Sequence, residues 1–109
     1  MSPVRTPGDS ARDAGKALKH AVRRGFIHGL MAADGPLAPS THAEEMGLPV
    51  SSVSYHVRIL ASLGVVEAVD SVKRQASVES RYLLGGRNCR QALTMLPAVD
   101  QIAARRRQR

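Results

Sequence analysis

The sequence predicts a mainly α fold with one small β-hairpin, in the order helix, helix, helix, strand, strand, helix. Three observations carry that expectation. Apolar residues recur at three- and four-residue spacing through positions 14–32, 50–63 and 88–105, as on the buried face of a helix. Ser77 to Leu84 alternates instead, and a looser apolar run precedes it at Val65 to Val72, as in a pair of strands. Glycine and proline punctuate the segments at Gly35-Pro36, Gly47, Gly64 and Gly85-Gly86, where turns belong.

Residues 1–12, with Pro3, Pro7 and Gly8 among polar neighbours, read as a flexible arm, and Ser10 or Asp13 is placed to cap the helix that follows. The first helix spans Ala14 to Ala32, with Leu18, Val22, Ile27, Leu30 and Met31 as its apolar residues and Ala17 and Ala21 beside them. Gly25 and Gly29 interrupt it at about 1 kcal/mol each relative to alanine. They mark either a close approach of another backbone or tolerated surface glycines. Pro39 suits the first turn of a second helix, Ser40 to Met46, because its missing N–H does little harm there. Gly47 can end that helix in a left-handed conformation. The third helix runs from Val50 to Leu63, with Val53, Val57, Leu60 and Leu63 as its inward stripe, and Gly64 closes it.

Lys73-Arg74-Gln75-Ala76 then reads as the basic tip of a hairpin. In its second strand Val78, Ser80 and Tyr82 fall on one face and Ser77, Glu79 and Arg81 on the other. The last helix, Asn88 to about Arg105, carries the stripe Ala92, Leu93, Leu96, Val99, Ile102 and Ala103, and Pro97 should kink or restart it. That stripe either packs on its own domain or forms a dimer surface through Leu93, Leu96, Val99 and Ile102; periodicity does not separate the two. The division is an arm at 1–12, a main domain at 13–86, a C-terminal helix at 87–104 and a basic tail at 105–109.

At 109 residues the chain can bury one modest core, and with only 3% aromatic residues (Phe26, Tyr55, Tyr82) that core rests on aliphatic side chains. A base-stacking surface for single strands is thereby disfavoured. The formal net charge of +7 favours a polyanionic partner, although Arg105, Arg106, Arg107 and Arg109 supply more than half of it. Those arginines read as a disordered extension adding non-specific affinity. Cys89 is the one cysteine, so no intrachain disulfide forms, which suits a reducing cytoplasm. No stretch reaches the length and apolarity of a membrane span or a signal peptide.

The third helix carries the most informative chemistry. Ser51, Ser52, Ser54, Tyr55 and Arg58 lie off its apolar stripe, and the helix contains no carboxylate. Small hydroxyls and a guanidinium on a helix face can approach base edges and phosphates in a major groove. For Ser51 and Ser52 helix capping is an equal alternative. Lys73 and Arg74 would reach a minor groove or its phosphates, with Arg74 adding about one unit of salt dependence. Arg81 is a weaker phosphate candidate. Lys16, Lys19, Arg23 and Arg24 read as a solvated helix face, and His42 as a half-buried, hydrogen-bonded core residue. His20 and His28 lack the spacing of a helical metal pair. No nucleophile with a base and no phosphate-binding loop is present, so an enzyme is not indicated.

The order of elements resembles winged helix-turn-helix repressors of the ArsR type, small dimeric transcription regulators. Leu18 to Met31, containing His20-Ala21-Val22-Arg23, is similar to that family's first core helix. Ala38 to Glu67 is similar to its helix-turn-helix, most specifically at Val53-Ser54-Tyr55-His56-Val57 with Leu60 and Leu63-Gly64-Val65-Val66. The resemblance implies a fold, a homodimer, and a role for His56 at the groove-facing edge, hydrogen-bonded to backbone or phosphate. Two departures stand out. The thiol pair or carboxylate–histidine set of metal-sensing members is missing, so no metal or other cofactor is expected, and His42 stands where an apolar residue is usual.

The expected function is therefore a sequence-specific double-stranded DNA-binding regulator, a homodimeric repressor, with no effector site evident. The rival is a winged-helix module that binds another protein, with RNA binding third. A contiguous basic, acid-free face on the third helix and wing would favour DNA. Crowding of that face by Glu44, Glu45, Glu67 and Asp70 would favour the rival.

Overall fold

The computed structural model describes residues 7–108, and in them the expected long first helix is two helices, α1 (Pro7–Ala17) and α2 (Ala21–Ala32). The break falls at 18–20, where no glycine or proline stands. His20 makes it: its backbone is extended, and its Nδ1 accepts from the N–H of Val22 at 3.2 Å, an N-cap for α2. Two arginines of α2 take up carbonyls left over at the end of α1. Arg23 Nη1 donates to Lys16 O and Arg24 Nη1 to Leu18 O, each at 2.8 Å. Arg23 and Arg24 are therefore structural, not a merely solvated face. The arm is helical from Pro7, its first six residues lie outside the described residues, and Ser10 and Asp13 sit within α1 instead of capping it.

The next pair follows the expected design. α3 (Pro39–Met46) starts on proline and ends at Gly47 with φ of 67°. The Leu48 N–H then bonds back to Ala43 O at 2.9 Å. α4 (Val50–Ser62) begins after Pro49, which occupies the N-cap position without a side-chain cap, so neither Ser51 nor Ser52 caps it. Val53, Val57 and Leu60 are fully buried, and Leu63 is packed at the edge.

β1 (Val66–Arg74) and β2 (Ser77–Leu84) pair antiparallel from Val66↔Leu84 to Arg74↔Ser77, with a bulge between Ala68 and Asp70. Lys73 and Arg74 thus end a strand, and the tip shrinks to Gln75-Ala76, with Gln75 left-handed at φ 49°. Leu37 adds a single rung on the other side of β2 through two 2.9 Å backbone bonds with Tyr82. This rung ties the hairpin to the segment that leads into α3.

α5 (Cys89–Arg107) runs through Pro97 as one helix and takes in Arg105 to Arg107, which the sequence suggested were a disordered extension. Arg109 lies outside the described residues. Its start is bolted to the end of α4. Gly86, at φ 120°, lies so close to Gly64 that an added Cβ would stand 2.5 Å from Gly64 O. Buried Asn88 donates from its backbone to Gly64 O at 2.9 Å and from Nδ2 to Leu63 O at 2.8 Å.

One core joins all the helices: Phe26, Ile27, Leu18, Ala43, Val53, Val57, Leu60, Val65 and Val66, with Ala14 and Ala17 of α1 and Ala92 and Leu96 of α5 in the same cluster where those two helices pack together. Each fully buried large aliphatic or aromatic side chain contributes about 1.5–3 kcal/mol through lost contact with water. The proposed dimer stripe is therefore divided. Leu96 is interior to its own chain, Leu93 and Val99 pack against the core, and Ile102 remains 52% exposed. His28 on α2 binds Asp100 on α5 at 2.7 Å, with Arg24 Nε 3.6 Å from the same carboxylate.

Candidate nucleic-acid interface

Burial of Val53, Val57 and Leu60 turns the opposite side of α4 to solvent. Ser51 and Arg58 are exposed, Tyr55 is 55% exposed, and Ser52 and Ser54 are partly so. Nothing on this helix is acidic. The rod thus offers three hydroxyls, a phenol and a guanidinium over about two turns, the chemistry that hydrogen-bonds base edges and phosphates.

His56 is not part of that face. It is 8% exposed and points toward α2, where its Nδ1 accepts from Arg23 Nε at 3.1 Å and its ring stacks on His20 at 4.0 Å between centroids. Burial, then the neighbouring His20 and Arg23, holds its pKa below the ordinary value of 6.5. The proton must sit on Nε2, since Nδ1 is the acceptor. His56 is a packing residue that seats α4 on α2, and the expectation of a groove-facing role is corrected.

His42 is likewise more deeply buried than expected. Its ring meets Phe26 edge-on at 5.3 Å between centroids, and it lies against the two glycines of α2. Burial lowers its pKa, and Glu45 opposes this to a lesser degree. The glycine spacing read from the sequence admits this side chain, not a second backbone.

The hairpin cations are less free than their sequence suggested. Arg81 makes a two-pronged pair with Asp70 across the bulge, one prong at 2.7 Å, and the two shift each other in the expected sense: the carboxyl down and the guanidinium up, through their hydrogen bonds first. Arg81 is thereby accounted for within the hairpin. Arg74 reaches back to the start of α3, where its Nη2 donates to Thr41 Oγ1 at 3.2 Å and its Nε lies 3.4 Å from Glu79 Oε1. The same oxygen accepts from Ser40 Oγ at 2.5 Å. Lys73 is exposed at the end of β1.

Between α4 and the hairpin runs a polar groove of about 330 Å³, lined among others by Ser54, Arg58, Ser77, Glu79, Ser80 and Tyr82. The acid in this groove is Glu79, not any of the four acids that the sequence pointed to. Glu79, Ser40 and Thr41 were missed, although a signal existed. Once the tip is placed at Gln75-Ala76, Arg74 pairs with Ser77 and lies diagonal to Glu79, within reach of a long side chain.

Among the described residues no cluster of three or more histidines, cysteines or acids is placed to hold a metal, and no helix is long and apolar enough to cross a membrane. Cys89 is partly buried, and burial raises its thiol pKa.

Comparison with known proteins agrees with this geometry. Residues 18–69 match the family described as "Helix-turn-helix domain". A "possible transcriptional regulatory protein" fragment from Mycobacterium bovis is 26% identical, superposes with a TM-score of 0.57, and covers 88% of this chain and 92% of its own. A solution structure of a homodimeric winged helix-turn-helix DNA-binding domain from the same organism, described as a possible ArsR-family regulator, is 23% identical, with a TM-score of 0.59 over 95% of this chain and 91% of its own. The transcriptional repressor BigR from Xylella fastidiosa shares the fold at 17% identity, with a TM-score of 0.62 over 84% of each chain. Among curated proteins no match is found. Residues 18–69 thus carry a helix-turn-helix domain, and the chain shares the winged helix-turn-helix fold of these solved structures.

Proposed function

We propose that this chain is a homodimeric, sequence-specific regulator of transcription, a repressor, that lays α4 in the major groove and brings the 73–76 tip to the adjacent minor groove. One observation carries the reading. Val53, Val57 and Leu60 of α4 are wholly buried, and the reverse of the same helix bears Ser51, Ser52, Ser54, Tyr55 and Arg58 without an acid. Tyr55 and Arg58, the two long exposed side chains of that face, are the candidates for base contacts. Ser51, Ser52 and Ser54, near the N-terminus of the helix, together with its free backbone N–H groups, suit phosphates. Lys73 and Arg74 would add wing contacts.

A second copy would bring two such helices to successive major grooves about 34–36 Å apart, so the site should be a pseudo-palindrome. The exposed Ile102, with Leu93 and Val99 at the margin of the core, is the part of the α5 stripe left for a partner. The homodimer reported for the Mycobacterium bovis domain supports that stoichiometry. Repression would follow from occupying a promoter.

The test is selection of bound fragments from random duplex DNA at stated salt, with sedimentation of the chain alone and with the selected duplex. The expected result is a two-half-site motif bound by two chains, with affinity falling steeply between about 50 and 200 mM salt. Absence of duplex binding at the lower salt would instead favour a protein-binding winged helix.

A further inference from the structure

We propose that Glu79 is a specificity determinant: an internal anion that occupies Arg74 and so suppresses indiscriminate binding of the wing to DNA backbone. The inference rests on the DNA-binding reading above and assigns a role to a residue that would otherwise count against it.

The geometry is a three-cornered latch. Glu79 accepts from Ser40 Oγ at 2.5 Å and lies 3.4 Å from Arg74 Nε, while Arg74 Nη2 donates to Thr41 Oγ1 at 3.2 Å. Two of the three guanidinium nitrogens are therefore engaged inside the protein. The carboxylate side chain is only 19% exposed and lies in the groove beside Ser54 and Arg58 of α4. The Asp70–Arg81 pair repeats the arrangement further along the same hairpin. Among the described residues of the hairpin, Lys73 is the cation without a carboxylate partner.

This changes the electrostatics of encounter. A free arginine that meets a phosphate releases a condensed counterion, and each such contact adds about 0.9 to the slope of affinity against salt. Arg74 already has its counterion, covalently part of the chain. A phosphate approaching it must displace Glu79 and then face the displaced carboxylate. Random backbone contact gains little from that exchange. A site that docks α4 in full register holds the wing in place and can drive it. Glu79 thus lowers affinity for random duplex more than for the selected site, widening the ratio between them.

The experiment compares wild type, Glu79→Gln, Arg74→Gln and the double variant on the selected duplex and on a random duplex of equal length, over a salt series. Glutamine keeps an acceptor for Ser40 and removes the charge. The expected result for Glu79→Gln is tighter random-duplex binding, a smaller selected-to-random ratio, and a slope steeper by about 0.9, which is roughly a further three- to fourfold loss between about 50 and 200 mM salt. On the random duplex Arg74→Gln should change the slope little in wild type and by nearly the full unit in the Glu79→Gln background. That coupling is a readout that a purely structural latch would not produce. Thermal unfolding of each variant verifies that it is folded, and Glu79→Asp, which keeps the charge, should retain the wild-type slope. Wild-type slopes and ratios in Glu79→Gln would overturn the inference while leaving DNA binding intact. Loss confined to the selected duplex would overturn it too, by making Glu79 a reader of a base amino group. Failure of wild type and variants alike to bind any duplex would overturn the DNA reading itself.

Discussion

The seat of His42 between the two glycines of α2 gives opposite expectations for two chemically identical substitutions. At Gly25 an added methyl group would meet His42 Nε2 at 3.8 Å, ordinary contact. At Gly29 it would meet His42 Nδ1 at 3.0 Å, Cε1 at 3.2 Å and Leu37 Cδ2 at 3.3 Å. Both positions are helical, so alanine gains about 1 kcal/mol of helix propensity at each. At Gly25 nothing opposes the gain, and Gly25→Ala should stabilise the chain by about that amount. At Gly29 the ring cannot withdraw easily, because Phe26 holds one side of it and Leu37 is itself buried. Overpacking of this kind costs about 1–3 kcal/mol, so Gly29→Ala should be neutral to destabilising by about 2 kcal/mol. Thermal unfolding at neutral pH measures the difference, at about 4–8 °C per kcal/mol for a domain of this size. In a His42→Ala background the obstruction is gone, and Gly29→Ala should stabilise as Gly25→Ala does. Equal stabilisation by both substitutions in the wild-type background would refute the account of His42 as the wedge between α2 and α3.

Two further expectations follow from the same contacts. His42 and His56 are held below the ordinary value of 6.5, chiefly by burial. As pH falls below about 6.5 the unfolded chain takes up protons before the folded one, so their contribution to stability is complete above that pH and declines on acidification until the folded rings also titrate. Unfolding midpoints between about pH 7 and 5 should show this decline, with a shallower one in His56→Gln; an identical decline in that variant would remove His56 as a source. Tyr55→Ala and Arg58→Ala should each cost about 1–3 kcal/mol on the selected duplex and little on random DNA if they read bases, as competition binding would reveal. Equal losses on both would reassign the residue to phosphate.

The helix-turn-helix was legible because its boundaries are chemical. Pro39 can begin a helix, Gly47 can end one left-handed, and Val53, Val57 and Leu60 repeat at helical spacing. The division of α1 from α2 was not, because apolar spacing continues through Ala17, Leu18, Ala21 and Val22, and the breaker is a histidine acting as a cap. The hairpin tip was set too wide for a related reason: the left-handed tip residue is Gln75, where glycine or asparagine would have announced the turn. His56 is the instructive error. It stands three after Val53 and four before Leu60, so spacing alone places it on the buried face, and the resemblance to a family pattern outweighed a signal the residues themselves carried. The partial burial of the α5 stripe was one of two readings that periodicity left open, because Ala14 and Ala17, which share the core cluster with Ala92 and Leu96, lay in what read as one continuous first helix, with no sign that α1 turns away to pack on α5.

These contacts explain why the outward face of α4 can be so small and polar. A helix whose exposed side is serine, tyrosine and arginine gains no stability from that side, so its position must be fixed from behind and at its ends. From behind, three buried aliphatic residues and the His56–Arg23 bond hold it to α2. At its start, the Gly47 turn sets its angle to α3. At its finish, Gly64, Gly86 and Asn88 lock it to α5, the helix proposed to carry the dimer contact. A substitution at Gly86 should therefore act at a distance, because any side chain there must displace Gly64 O and with it the end of α4. The spacing of two recognition helices in a dimer would depend on that joint. The glycine–asparagine joint is where a change confined to the proposed dimer region would be transmitted to the proposed DNA face, through backbone contacts too close to yield independently.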